Sequence, residues 1–268
     1  MYRVITDLGE VCQHLSGSTI IGLDIEASPD EAYRGEEKAA LDPHKSTITG
    51  ISISISEGSA IYIPLRHRIG VNTNPDEVLR WLAANVLQNP DVTLVCHNLA
   101  FESAFFYALG IVPTCKVYDT MIAAQMTLKG NTSFRKLADS GLKTLVQELL
   151  DVELPTFEEV TDGRHFDDLD YADSKTILYA CSDADYTLRL YHLFNAWFDK
   201  YLPKHRYIVE NIESPAAVFM GLMRYNGILV DTALMANQAA ECEERMRRLR
   251  ADIAFIIGDV NIGVNAST

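Results

Sequence analysis

Asp24 and Glu26 stand two residues apart at the end of a short, β-branched apolar run, Ser18-Thr19-Ile20-Ile21-Gly22-Leu23-Asp24-Ile25-Glu26. In a strand, residues i and i+2 leave the same face, so this spacing sets two carboxylates side by side. Burying such a pair costs on the order of several kcal/mol unless a cation offsets the repulsion. Hard oxygen donors at close range suit Mg²⁺ or Mn²⁺ rather than zinc. For Asp-x-Glu alone, a solvated strand end is the plainer reading, so further acids are needed.

Glu102 is the next candidate. It follows the apolar run 92–96 in the stretch His97-Asn98-Leu99-Ala100-Phe101-Glu102. Asn98 is placed to cap a helix, Phe101 to anchor it in the core and Glu102 to project from its first turn, where an acid also complements the helix dipole. The third group lies within a strong helical pattern, where Tyr179 and Asp183 are four apart and share a face. Alone, that spacing describes a surface pair. Asp185 comes about 200° further round the helix, at ~100° per residue, and is expected to be solvated.

The elements that must position these residues are legible in outline. Residues 18–26 read as a strand buried on both faces, and 47–56 and 60–64 as a hairpin turning at Glu57-Gly58. Asn74-Pro75-Asp76-Glu77 opens an amphipathic helix that runs to Leu87. Further helices are expected over 99–109, 118–128, 134–150 and 172–201, the last ended by Pro203, with 27–45 a polar loop. A mixed sheet flanked by helices is an α/β layer architecture. From residue 204 the pattern is helical, broken at 226–231 and resuming in the charged stretch 241–250. Two parts are therefore expected, 1–200 and a C-terminal helical extension, 201–268.

Composition narrows the function classes. The 268 residues carry 37 acids against 23 Lys and Arg, a formal charge of −14, which is unsuited to blanketing phosphate backbones. The basic stretches 66–68 and 245–250 do not compensate, so feeble affinity for DNA is expected of this chain alone. Cys12, Cys96, Cys115, Cys181 and Cys242 are odd in number and scattered, which disfavours disulfides and zinc. No membrane span or secretory leader is apparent, and the chain reads as cytoplasmic.

Taken together in this order, the motifs resemble the DEDD-type 3′-to-5′ exonucleases of RNase H-like fold, in the subgroup with Tyr in the third motif. The likeness is to the proofreading domain of a family A, DNA polymerase I-like enzyme. It rests on Gly22-Leu23-Asp24-Ile25-Glu26, Asn98-Leu99-Ala100-Phe101-Glu102 and Tyr179-Ala180-Cys181-Ser182-Asp183-Ala184-Asp185. Tyr118-Asp119-Thr120-Met121 resembles a helix start in that family, and Thr156-Phe157-Glu158-Glu159 a segment that contacts frayed bases. Glu210 to Pro215, Met223 to Asp231 and residues 260–265 are similar to the chain leading into the polymerase domain. Fingers, palm and most of the thumb have no counterpart, so no nucleotide polymerisation is expected. Nothing that reads as a 5′ nuclease precedes the motifs, a layout similar to phage enzymes.

The resemblance implies that Asp24 bridges two divalent ions, Mg²⁺ or Mn²⁺. Glu26 and Asp183 complete the ligands of one, Glu102 serves the second, and Tyr179 orients the attacking water. It implies a substrate too: single-stranded or frayed 3′ ends of DNA, released as deoxynucleoside 5′-monophosphates, with a polymerase domain or subunit as partner. Asn98, Phe157 and the backbone at Ala27 would hold the terminal nucleotides. The sequence departs from the family at Glu102, usually Asp, and at Ala27, more commonly Thr or Ser. An RNase D-like exoribonuclease shares the motifs but not the segment after residue 205. A non-catalytic docking module is the other alternative, its interface being Ile212, Val218, Phe219, Leu222 and Met223.

Overall fold

Continuous apolar runs and period-two alternation resolve into a six-stranded mixed sheet in the order β1-β4-β3-β2-β5-β6. The structure, a computed structural model, describes residues 1–128 and 139–257. Its strands are β1 (Tyr2–Val4), β2 (Ile20–Pro29), β3 (Ser46–Ser56), β4 (Ser59–Pro64), β5 (Thr93–Cys96) and β6 (Lys116–Asp119). β2 is the hinge of the topology, pairing antiparallel with β3 and parallel with β5. Helices α1 (Leu8–Leu15), α2 (Pro75–Leu82), α3 (Leu99–Ala108), α4 (Thr120–Leu128) and α5 (Leu142–Leu150) precede the short α6 (Phe157–Thr161) and the long α7 (Ser174–Tyr201). Then come α8 (Pro203–Ile208), α9 (Ser214–Asn226) and α10 (Thr232–Ile257).

The sheet separates two apolar layers. Ile21, Leu23 and Ile25 of β2 join α1, α2 and α3 on one face. On the other, α7 lies across the strands, its Leu188, Tyr191 and Phe194 packing with Tyr118, α4 and α5. Helix starts follow local chemistry: Asn74 accepts from the amides of Asp76 and Glu77 with Pro75 at the first turn, and Asp173 caps α7.

Several expectations are corrected. Tyr118 is in strand, not helix: Val117 and Tyr118 pair with Leu94 and Val95, and the helix starts two residues later, at Thr120. The helix expected over 134–150 begins at Leu142, and residues 134–138 and 260–265 lie outside the described residues. The supposed loop from residue 27 continues β2 as far as Pro29, because β3 goes on pairing with it past a register shift at Glu26/Ala27. β1 and α1 add to the elements expected, and for α1 the signal is local: Leu8, Val11, Cys12 and Leu15 recur at helical spacing behind Asp7, which accepts from the Glu10 amide. Among the described residues, no helix is long and apolar enough to cross a membrane.

The chain divides into two compact units, Met1–Asn226 and a second starting at Gly227, so the boundary expected near residue 200 falls inside the first. The cause is α9, which docks on α3. A Cβ on Gly221 would lie 2.5 Å from Ser103 Cβ and 3.0 Å from the backbone of Ala100 and Ala104. Val218 also packs on the core rather than facing outward, while Ile212, Phe219 and Met223 are exposed. In the second unit, α10 carries surface pairs between Glu244 and both Arg247 and Arg248.

Gly221→Val should therefore overpack the α3–α9 contact and cost about 2 to 3 kcal/mol in urea denaturation. Unchanged stability would detach α9 from the core of the first unit.

Candidate active site

Strand parity does the first part of the positioning. With Ile21, Leu23 and Ile25 in one core layer, Gly22, Asp24 and Glu26 face the other side of the sheet, towards α7. Gly22 lets that helix come close: a Cβ there would sit 2.7 Å from the Ala184 carbonyl oxygen and 3.1 Å from Leu188 Cβ. The crossing delivers Asp183 to the strand-end acids. Carboxylate oxygens of Asp24, Glu26 and Asp183 lie within 4.8 Å of one another, Glu26 and Asp183 buried and Asp24 partly so.

Such a gathering is electrostatically uncomfortable. Burial pushes the Asp24, Glu26 and Glu102 carboxyls well above the usual carboxylate range, and neighbouring negative charge adds to it. For Asp24 that neighbour is Asp183; for Glu26 and Glu102 it is first Asp24. Burial raises Asp183 as well, with the charge of Lys143 working against it. The Tyr179 phenol is raised by burial and then by Glu26, so it stays protonated at neutral pH.

Glu102 stands outside the three-acid cluster but is 1 % exposed in the first turn of α3. The expected Asn98 cap is not made. Asn98 adopts φ 71°, a left-handed conformation Asn tolerates, and its side chain caps nothing. Asp119 does that work from β6, accepting the amides of Asn98 (3.1 Å), Leu99 (2.8 Å), Met121 (2.8 Å) and Ile122 (3.3 Å). Its own amide donates to Ser214 Oγ on α9 at 2.9 Å. One carboxylate thus starts both α3 and α4 and fixes the turn that leads to Glu102.

Tyr179 is buried one turn before Asp183, its ring 6.2 Å from that of Phe157 and 5.9 Å from that of Phe166. Phe157 opens α6 behind a Thr156–Glu159 capping box and remains 38 % exposed. Asp185, expected in solvent, is completely buried. It accepts from Tyr2 Oη (2.7 Å), the Gly58 amide (2.8 Å) and the Arg189 guanidinium (2.9 and 3.2 Å). β1 and the β3–β4 turn cover that side of α7, which helical periodicity alone does not reveal.

A cleft of about 700 Å³ opens over the acids, with Ala27, Phe101, Phe157 and Tyr179 among its walls. Three cations near the site were not singled out from the sequence. Lys38 and Arg164 line the cleft from segments read as loop or left unassigned. Lys143, in the first turn of α5, pairs with Asp183 and lies 4.5 Å from the centre of the Tyr179 ring. A first-turn lysine opposes the helix dipole, and that is the one local hint of a partner elsewhere.

The residues fit a divalent metal. Glu26 Oε1 and Glu102 Oε2 are buried without a hydrogen-bond partner among the described residues, and the donors are all carboxylate oxygens.

The family model for 3′–5′ exonucleases matches residues 2–197. DNA polymerase I of Chloroflexus aurantiacus is 29 % identical over 217 residues, covering 80 % of this chain and 22 % of that protein. The chain spans about a quarter of the length of the curated relatives it matches. Among solved structures, the POL domain of Pol1 from M. smegmatis, in complex with DNA primer-template and dNTP, superposes with a TM-score of 0.67 at 17 % identity, over 97 % of this chain and 38 % of that one. Brucella melitensis NrnC with bound Mg²⁺ gives 0.56 at 19 % identity, over 86 % and 96 %. At such identities the superpositions speak for the fold, which is RNase H-like. The match over residues 2–197 is the stronger tie, and by it this chain belongs to the 3′–5′ exonuclease family of the DNA polymerase A type.

Proposed function

We propose that this chain hydrolyses single-stranded or frayed 3′ ends of DNA to deoxynucleoside 5′-monophosphates, as the proofreading part of a DNA polymerase I-like enzyme. The observation that carries the reading is the gathering of Asp24, Glu26 and Asp183 within 4.8 Å beside an open cleft, in a chain of this family. Asp24, Glu26 and Asp183 would hold a divalent cation, and Glu102, which feels the charge of Asp24, would serve a second. Mg²⁺ or Mn²⁺ bound there would supply acidification of the attacking water and charge stabilisation of the leaving 3′ oxygen.

The remaining work falls to the chain's own groups. Tyr179, a protonated phenol, donates a hydrogen bond that orients water for in-line attack on phosphorus. The P–O3′ bond breaks, and the 3′ oxygen of the shortened strand takes a proton. Phe157, exposed on the cleft wall, stacks on a terminal base. Asn98 is not among the residues lining the cleft, and its side-chain amide, which caps nothing, would have to reach sugar or phosphate oxygens at its edge. Ala27 leaves room for the backbone beside Glu26 to meet the last nucleotide. Lys38 and Arg164 supply positive charge to a strand entering between them.

Three outcomes follow. Purified chain with Mg²⁺ or Mn²⁺ shortens a 5′-labelled oligodeoxynucleotide one nucleotide at a time, and Asp24→Asn abolishes this; cleavage of the matching oligoribonucleotide alone would overturn the choice of DNA.

The same substitution reports on stability. Asp24 has a folded pKa above its unfolded value, so its favourable contribution is present below the unfolded pKa of about 3.9 and is lost as pH rises through the folded value. At neutral pH without metal the group is therefore a burden on the folded state, whether it stays ionised or takes up a proton. Asp24→Asn should therefore raise the metal-free Tm at neutral pH. The gain should vanish near pH 4, and the variant should lose the Tm increase that Mn²⁺ gives the wild type.

Phe157→Ala should slow degradation of a base-paired 3′ end more than that of a free single strand, by about 5- to 100-fold for one lost stacking contact. Equal losses on both substrates would remove Phe157 from base contact.

A further inference from the structure

Lys143 reaches the acid cluster from a position where a cation is disfavoured. It sits in the first turn of α5, where the helix dipole presents positive charge. Two contacts compensate, and both are made to the third motif: its ammonium pairs with the Asp183 carboxylate and lies over the Tyr179 ring. Among the described residues it is the one cation ion-paired to Asp24, Glu26 or Asp183. Its side chain is 28 % exposed, so the ammonium stands at the rim of the cluster with a route into water.

The same carboxylate is asked to do two things. Asp183 belongs to the three-acid group suited to a divalent ion, and it is also the partner of Lys143. An ammonium and a divalent ion pressed against one carboxylate repel each other, and in a partly dry site that repulsion is poorly screened. The two cations are therefore competitors.

We propose that Lys143 is an internal counter-cation in exchange with metal: it neutralises Asp183 while the site holds no ion and withdraws when a divalent cation binds. The proposal rests on reading the acids as the metal site. It makes α5, outside the three motifs, a determinant of how much free metal the enzyme needs.

The test is Mn²⁺ binding to the full chain without DNA at neutral pH, measured by titration calorimetry, for wild type, Lys143→Met, Lys143→Arg and Asp24→Ala. Lys143→Met should bind roughly two- to fivefold more tightly, the scale of a partly exposed ion pair no longer in competition. Its metal-free Tm should fall while the Tm gain on adding Mn²⁺ grows. Lys143→Arg, which keeps the charge, should stay near wild type, and Asp24→Ala should abolish binding.

Wild-type protein that takes up no Mn²⁺ would remove the metal-site reading and this proposal with it. Wild-type binding that is unchanged or weakened in Lys143→Met would overturn the exchange and leave the metal site standing. So would a tightened affinity that survives Asp24→Ala, since the ion would then sit elsewhere. Should Lys143→Met fail to fold, Lys143→Gln carries the same comparison.

Discussion

Like charges held within 4.8 Å of one another in a partly dry site set terms for everything around them. A folded chain tolerates that only if the surroundings prevent the acids from moving apart and something positive meets them. Both conditions are visible. Gly22 brings α7 against β2 without a side chain between, and Asp119 pins the starts of α3 and α4 through two amides each. Lys143 brings a positive charge, and the orphaned oxygens of Glu26 and Glu102 are ready to take more.

The stability held back by this arrangement has to come from elsewhere, as is usual where a site is pre-formed for charge. The two apolar layers on either face of the sheet are the source, and α9 extends one of them. By docking on α3 and reaching Asp119 through Ser214, α9 makes a segment outside the family match part of the support for Glu102. The functional unit is thus longer than its motifs.

How much of this could be read from residue order alone depended on whether the controlling interaction was local. Asp24 and Glu26 were legible because strand parity acts over two residues, and Tyr179 with Asp183 because helix periodicity acts over four. The sheet flanked by helices followed from the same two periods. Asp185 was misread because its partners, Tyr2 and Gly58, lie far away in sequence. Tyr118 looked helical until its pairing with Val95 decided otherwise. Asn98 had the right chemistry for a cap, yet a carboxylate 21 residues later took the task. Lys143 left only an oddity, a cation at the wrong end of a helix.

Asp183 and Asp185 point to nearly opposite sides of α7, one towards the repelling acids and the other into bonds with Tyr2, Gly58 and Arg189. Any twist of α7 that swung Asp183 clear of Asp24 would drag Asp185 out of that socket. The buried anchor on the far side of the helix therefore resists the rotation that repulsion at Asp183 would favour.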